Sequence, residues 1–437
     1  MRRLWTLAAL CAPTAALVIS ACTGDDDVVN AGPDAGPAPD AGPRADTGTT
    51  SQNQDSGPEP LRCGNDPGPT RLLATIGGAS TSELAAVNLS TKAVDGRLSF
   101  ASRYGVAWTR NREPFLLAQE TDIVSKLDER EPWKVVSSWS VRGDDGVDGG
   151  LPNANPSAIA VPGCGKGYVL RFNRNKIAVI DTAESADGGA PQTWIDLAPL
   201  LHEGDHDGFV EMTSAISVPE RNRVYVLLGN VDLTKVAGDG YTALCATSKP
   251  TIVAIDTTTD QIVQAETLTL EGYNPPLGSS FFYDAPRDRF LVLSAGCNLD
   301  DGDGGAGAIS RRRVEEVSRA TGAVKTLVSL DDQLFPSGMA FVDENRAALA
   351  FFGPAFFWDP KSSVLGAPIQ GGLDFLANAG GGSVAGTRAT WVDGGPGPLE
   401  VVSVPFGDAG PEVVTSNPFT DNSGFVGSAE LWPNPKP

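Results

Sequence analysis

Histidine is almost missing from this chain: His202 and His206 are the only two among 437 residues. Two imidazoles cannot complete the multi-histidine ligand sets of copper or haem enzymes. A Ser-His-Asp triad would have to draw on one of them, and neither sits in a supporting motif. No G-x-S-x-G elbow occurs, and no phosphate-binding glycine loop. The six cysteines include no C-x-x-C and no C-x-x-C-H. That removes support for a dithiol redox centre, a cysteine-rich zinc site and covalent haem. Positive charge is scarce, with 33 Lys+Arg against 54 Asp+Glu and a formal charge of -21. Such a surface repels nucleic acid and anionic headgroups, and it favours solubility, cations or basic partners. A well-solvated exported protein accounts for it as simply. Helical periodicity is absent over any long window. Beyond residue 19 no segment is long and apolar enough to cross a bilayer.

What is present begins at the N-terminus. Arg2 and Arg3 precede an apolar stretch at residues 4–19, which leads into Ser20-Ala21-Cys22. This is the layout of a secretory signal. The stretch is short for a span, and no basic stop follows it. An ordinary signal that ends near a cysteine is the competing reading. The small residues before Cys22 resemble instead the lipobox of bacterial lipoproteins. That resemblance implies that residues 1–21 are removed and that the Cys22 thiol carries a diacylglycerol. Cys22 then becomes the new N-terminus, held firmly to a membrane by several acyl chains. Losing Arg2 and Arg3 takes the formal charge from -21 to -23. Thr23, not Asp, follows Cys22. By analogy with lipoprotein sorting this favours the outer membrane of a Gram-negative envelope, facing either the periplasm or the outside.

Residues 22–60 then read as a disordered tether. Ala31-Gly32-Pro33-Asp34-Ala35-Gly36-Pro37 is echoed at Pro39-Asp40-Ala41-Gly42-Pro43, and Asp25, Asp26 and Asp27 stand just behind the anchor. Too little here is apolar to offset the entropy of ordering. Proline keeps the segment extended and aspartate keeps it solvated. Residues 61–437 remain for one folded domain, ample for a core.

Within that domain a β-rich phrase recurs, built as strand, polar turn and strand. It reads Ala85-Ala86-Val87-Asn88-Leu89-Ser90-Thr91-Lys92-Ala93-Val94, then Ile177-Ala178-Val179-Ile180-Asp181-Thr182. It returns as Ile252-Val253-Ala254-Ile255-Asp256-Thr257-Thr258-Thr259-Asp260-Gln261-Ile262-Val263, and more weakly at 314–324. Degenerate copies lie at 123–136, 356–369 and 399–414, which makes seven with a mean period of about 52 residues. A second phrase precedes most copies. Examples are Ser157-Ala158-Ile159-Ala160-Val161 with 167–172, Ser214-Ala215-Ile216-Ser217-Val218 with 223–228, 279–283 with 289–293, and 337–342 with 347–352. Turns such as Pro219-Glu220-Arg221-Asn222 and Pro286-Arg287-Asp288 carry hairpin chemistry.

Two phrases give four strands per repeat, which is a propeller blade. The phrases resemble the YVTN-type repeats of bacterial seven-bladed β-propellers over roughly residues 70–430. The expected fold is therefore all-β, a propeller of seven four-stranded blades, with a pair of β-sandwiches as the alternative. The first copy lacks its opening phrase. The segment 424–431 is expected to supply the missing inner strand and close the ring.

Cys11 leaves with the signal and Cys22 takes the lipid. Cys63, Cys164, Cys245 and Cys297 remain, an even number that suits two disulfides in an oxidising compartment. Three pairings are possible. Cys245 with Cys297 is favoured because both follow strand-like segments in neighbouring repeats, leaving Cys63 for Cys164.

One stretch offers chemistry: His202-Glu203-Gly204-Asp205-His206-Asp207-Gly208-Phe209-Val210-Glu211. It matches H-E-x-x-H, but Gly204 breaks the helix a zincin needs, and Asp205 and Asp207 crowd the site with charge. A calcium loop suits it better, with Glu203, Asp205, Asp207 and Glu211 as oxygen ligands. Ser214 stands where an EF-hand places its bidentate glutamate, so the geometry must differ. A second acidic loop, 298–305, lies beside Cys297, and Arg311-Arg312-Arg313 after it is expected to face solvent.

Two functions follow. The first is a membrane-anchored envelope lipoprotein displaying a monomeric propeller that binds a protein, a glycan or a small ligand, with no nucleic-acid role. The second is a calcium-dependent propeller hydrolase, lactonase- or phosphatase-like, which requires acidic or amide residues pointing inward from several blades. The candidate inner strands carry Ser, Ala and Ile instead.

Overall fold

The computed structural model describes residues 68–433 save for short stretches, the longest being 144–152, 235–243 and 300–308. Cys22, the tether, Cys63, Cys164 and most of the second acidic loop lie outside the described residues. The strands form seven antiparallel sheets, numbered here as blades 1–7, in a seven-bladed propeller. The first strands of the sheets neighbour one another around the ring and line its channel. This radial order replaces the two stacked sheets of a sandwich.

Each recurring phrase found in the sequence is the third-to-fourth-strand hairpin of one blade. In blade 1 it joins Ser82–Asn88 to Ala93–Phe100. In blade 5 it joins Ile309–Ser318 to Val324–Ser329. Blade 4 departs slightly, since Gln261–Ile262 and Leu268–Thr269 share the outer position beside Thr251–Asp256. The second phrase supplies the two inner strands of blades 3 to 6. Blades 2 and 7 build the same strands from Gly105–Trp108 with Phe115–Ala118, and from Phe375–Ala379 with Ser383–Val392.

The hairpin turns show why the phrase repeats. Asn88 Oδ1 accepts hydrogen bonds from the Ser90 and Thr91 amides, and Lys92 N donates to Asn88 O in a left-handed conformation, φ 58°. Asp256 Oδ1 does the same for Thr258 and Thr259, with Asp260 at φ 55°. Ser318 and Gly322 repeat the turn in blade 5. A short acceptor side chain thus holds the turn while the fifth residue takes the positive φ. The first-to-second-strand turns in blades 4 and 5 are single 3-10 turns, Pro219–Arg221 and Ala285–Arg287. They end on left-handed Asn222 and Asp288.

The inner strands of the sheets are mostly buried on both faces, so they read as continuous apolar runs rather than alternating ones. Leu72 and Leu73 are adjacent on Arg71–Gly77 and point to opposite faces. Leu72 packs with Val401 and Val414 of blade 7, and Leu73 with Leu116 and Leu127 of blade 2. Each such side chain contributes about 1.5–3 kcal/mol on burial.

The C-terminal strand Phe425–Trp432 pairs with Arg71–Gly77 and completes blade 1 as its inner strand, as expected. Ser428 Oγ lies 3.0 Å from Thr75 Oγ1 and accepts from Ala107 N of blade 2. Gly427 fits there because a Cβ would sit 2.7 Å from Gly105 O. The first and last described strands are therefore locked to each other and to the next blade.

Candidate functional site

Antiparallel order puts the connections between blades at one end of the ring, together with the loops between second and third strands. The hairpin turns between first and second strands, and between third and fourth, lie at the other end. The acidic stretch belongs to the connection from blade 3 to blade 4, at the loop end. It is not helical. Asp205 N donates to His202 O, Asp207 N to Asp205 Oδ1, and Phe209 N to Asp207 Oδ1 at 2.8 Å. Asn175 of blade 3 fixes the end of the run, donating to Gly208 O and accepting from Val210 N. The two histidines therefore do not share the helix face that a zincin requires.

The chain then turns inward at Glu211, which is fully buried and holds φ 40° just before the inner strand Met212–Val218. Glu211 Oε2 accepts from Val231 N at 2.8 Å. Glu211 Oε1 is buried without a hydrogen-bond partner, and so is Asp205 Oδ2. Val231 precedes Asp232, a buried carboxylate in the loop after the second strand of blade 4. Carboxylate oxygens of Asp205, Asp207 and Asp232 lie within 4.8 Å of one another. Neither Asp205 nor Glu211 has a lysine or arginine partner among the described residues. Burial first, then the charges of Asp207 and Asp205, holds the Glu211 carboxyl well above the usual carboxylate range. Burial, then Asp207 and more weakly Asp232, pushes Asp205 up to about 7. Four carboxyls crowded in this way, all oxygen donors, suit a hard divalent cation.

Of the four residues expected from the sequence, Asp205 and Asp207 converge with Asp232, and Glu211 is buried nearby under the charges of Asp207 and Asp205. Glu203 lies exposed in the turn, and its carboxylate is not among those that converge. Asp232 was not anticipated. The signal available was topological, since a loop after a second strand shares its end of the ring with the preceding inter-blade connection.

Cys245 and Cys297 form the expected disulfide. Cys245 N also donates to Asn298 O at 2.9 Å. The bond ties the loop that carries Asp232 to the end of Arg289–Asn298 in blade 5. The arginine run departs from expectation: Arg312 is buried and its guanidinium donates to Ala295 O, capping a bend at Gly296 instead of facing solvent.

The channel holds a second feature that the sequence did not reveal. Arg110, in the turn after the inner strand of blade 2, donates to Phe281 O of blade 5 at 3.0 Å. It also lies 3.5 Å from Glu430 of the closing strand. The rings of Trp108 and Phe282 flank its guanidinium at 5.1 and 4.9 Å. Burial lowers the pKa of Arg110 and raises that of Glu430, each opposed by the other's charge.

No family model matches the sequence, and no curated protein matches it. Solved structures do. A hypothetical selenium-binding protein from Sulfolobus tokodaii is 11% identical, covers 84% of this chain and 94% of its own, and has a TM-score of 0.50. The Dos1 propeller is 12% identical over 84% of this chain and 88% of its own, with a TM-score of 0.45. A luciferin-regenerating enzyme is 12% identical over 72% and 95%, with a TM-score of 0.43. At these identities the likeness is one of fold alone.

Proposed function

We propose that the chain is an exported propeller, held at the cell envelope by a lipid on Cys22. There it serves as a binding or display module for an envelope protein, a glycan or a small ligand. The contrast between the two ends of blades 4 and 5 carries this reading. There the hairpin end is short, with turns at 219–222, 257–260, 285–288 and 319–323. The other gathers the long connections 197–211, 229–250 and 270–280, with a disulfide from one of them to the end of the blade 5 strand Arg289–Asn298. Long loops set on a rigid scaffold are where recognition surfaces are built. The basic start, the apolar stretch and the small residues before Cys22 support the anchor, and Thr23 supports the outer membrane. A calcium-dependent hydrolase is the second reading, favoured by the converging carboxylates. Against it, the channel carries an arginine–glutamate pair where such chemistry would want a metal.

The test has two arms. Wild-type protein should sediment with membranes and Cys22→Ser should be released. A photo-crosslinking residue at Glu203, on the loop end, should capture an envelope component. The same residue at Thr258, in a hairpin turn, should not. Equal capture from both ends sinks the binding-face reading, and turnover of lactones or phosphate esters replaces it with the hydrolase.

A further inference from the structure

We propose that Asp205, Asp207, Glu211 and Asp232 form a site for one hard divalent cation, calcium by donor type, that clasps the connection between blades 3 and 4 to the loop after the second strand of blade 4. The convergence of carboxylates would not alone make a site. The deciding observation is Glu211, whose side chain is fully buried and whose Oε1 lacks any hydrogen-bond donor. After burial, the charges of Asp207 and Asp205 act most strongly on that carboxyl. Ionised carboxylates repel one another, so this group holds either a shared proton or a cation. A divalent ion neutralises several at once, and a buried unpaired carboxylate would otherwise be severely destabilising.

The surrounding bonds prepare the group for that role. One oxygen of each carboxyl accepts a main-chain amide: Asp205 Oδ1 from Asp207, Asp207 Oδ1 from Phe209, Glu211 Oε2 from Val231, and Asp232 Oδ1 from Thr234. Such contacts fix the orientation of metal-binding carboxylates. All donors are oxygen, which suits calcium, magnesium or manganese rather than zinc or copper. His206 Nδ1 stands 3.5 Å from Asp232 Oδ2, and its ring is largely exposed at the rim. Calcium accepts the irregular, oxygen-rich geometry that loops from two places in a chain provide, whereas magnesium demands a near-ideal octahedron. Glu203 is not a ligand in this arrangement.

The proposal stands apart from the lipid anchor and from any partner. Calcium titration of the full-length protein in detergent, by calorimetry beside a thermal melt, tests it. One ion should bind per chain, and the melting temperature should climb with calcium concentration. Asp205→Asn, Glu211→Gln and Asp232→Asn should each weaken binding at least tenfold, while Glu203→Gln stays within about twofold. Where a variant does not fold, anomalous scattering from a terbium-soaked wild-type crystal locates the ion directly. A peak among the four carboxyls supports the site, and a peak elsewhere or none overturns it. Absence of heat and of any melting shift overturns it too, and so does binding that Glu203→Gln abolishes.

Discussion

Arg110 and Glu430 offer the sharpest test of the ring as described. They lie 320 residues apart in sequence and 3.5 Å apart in space. At that distance, with an effective dielectric near 20, their attraction is about 5 kcal/mol. Desolvation opposes it on both sides, since burial is the leading influence on each group. The net value of the intact pair against an apolar substitute is therefore small, while removing one partner strands the other. Glu430→Gln should cost about 3 kcal/mol, the low end for a buried pair, because both side chains keep slight exposure. Arg110→Met should cost about 1–2 kcal/mol more, since it also loses the bond to Phe281 O and the contacts with Trp108 and Phe282. The double variant Arg110→Met/Glu430→Met should recover to within about 2 kcal/mol of wild type. Urea unfolding at pH 7 reads all three from the midpoint at constant slope. Costs below about 1 kcal/mol for both single variants, or a double variant that merely sums them, would refute a buried pair across the channel.

Two further outcomes follow from local geometry. Replacing both Cys245 and Cys297 by serine should lower stability by about 2–4 kcal/mol, because the bond closes a long loop in the unfolded chain. Reductant should reproduce the loss in wild type and leave the double variant unmoved. The third concerns acid. Bonds from Arg319, and then from Tyr283, pull the Asp288 carboxyl down to about 2. Its folded value lies below its unfolded value, so the stability it contributes is present above about pH 4 and is lost as pH falls to 2. Asp288→Asn should therefore weaken the fold at pH 7 and flatten the decline between pH 4 and 2. Asparagine tolerates the left-handed backbone of position 288, so the comparison isolates charge. An unchanged acid slope would contradict it.

The legible parts of this fold are those set by local chemistry. Asn88, Asp256 and Ser318 each cap the same turn, so the outer hairpins announce themselves at a regular period. Inner strands are harder to read. Gly105–Trp108 has four residues, all buried, with neither alternation nor a flanking signature to mark it. The closing strand was readable only because blade 1 otherwise lacked a partner. Arg110 with Glu430, and Asp232 with Asp205 and Asp207, were not readable at all. Each pairing joins separate loops or strands that the ring brings together, and no spacing along the chain records it. Arg312 misled for a related reason, since its burial depends on a bend at Gly296 in the neighbouring strand.

The contrast in blades 4 and 5 between stereotyped hairpin turns and longer loops has a physical origin. A turn joining adjacent antiparallel strands must keep their register, and a slip of one residue would reverse every buried side chain. That constraint rules the turns at 219–222, 257–260, 285–288 and 319–322, whose left-handed residues and side-chain acceptors leave little latitude. The loops after the second strands bear less of it, because the next strand is held by its own hairpin and by the adjoining blade. Such a loop can lengthen from the short turn between Ala118 and Ile123 in blade 2 to the long connection between Leu228 and Thr251 in blade 4 without disturbing the ring. Residues with costly conformations and buried charge concentrate where that freedom exists. Glu211 and Asn230 both hold positive φ there, beside Asp232 and the disulfide loop. Strain and unsatisfied carboxyls persist in a fold only when something repays them. The regular end needs nothing further to be stable, so an activity of this protein is to be sought at the loops of blades 4 and 5.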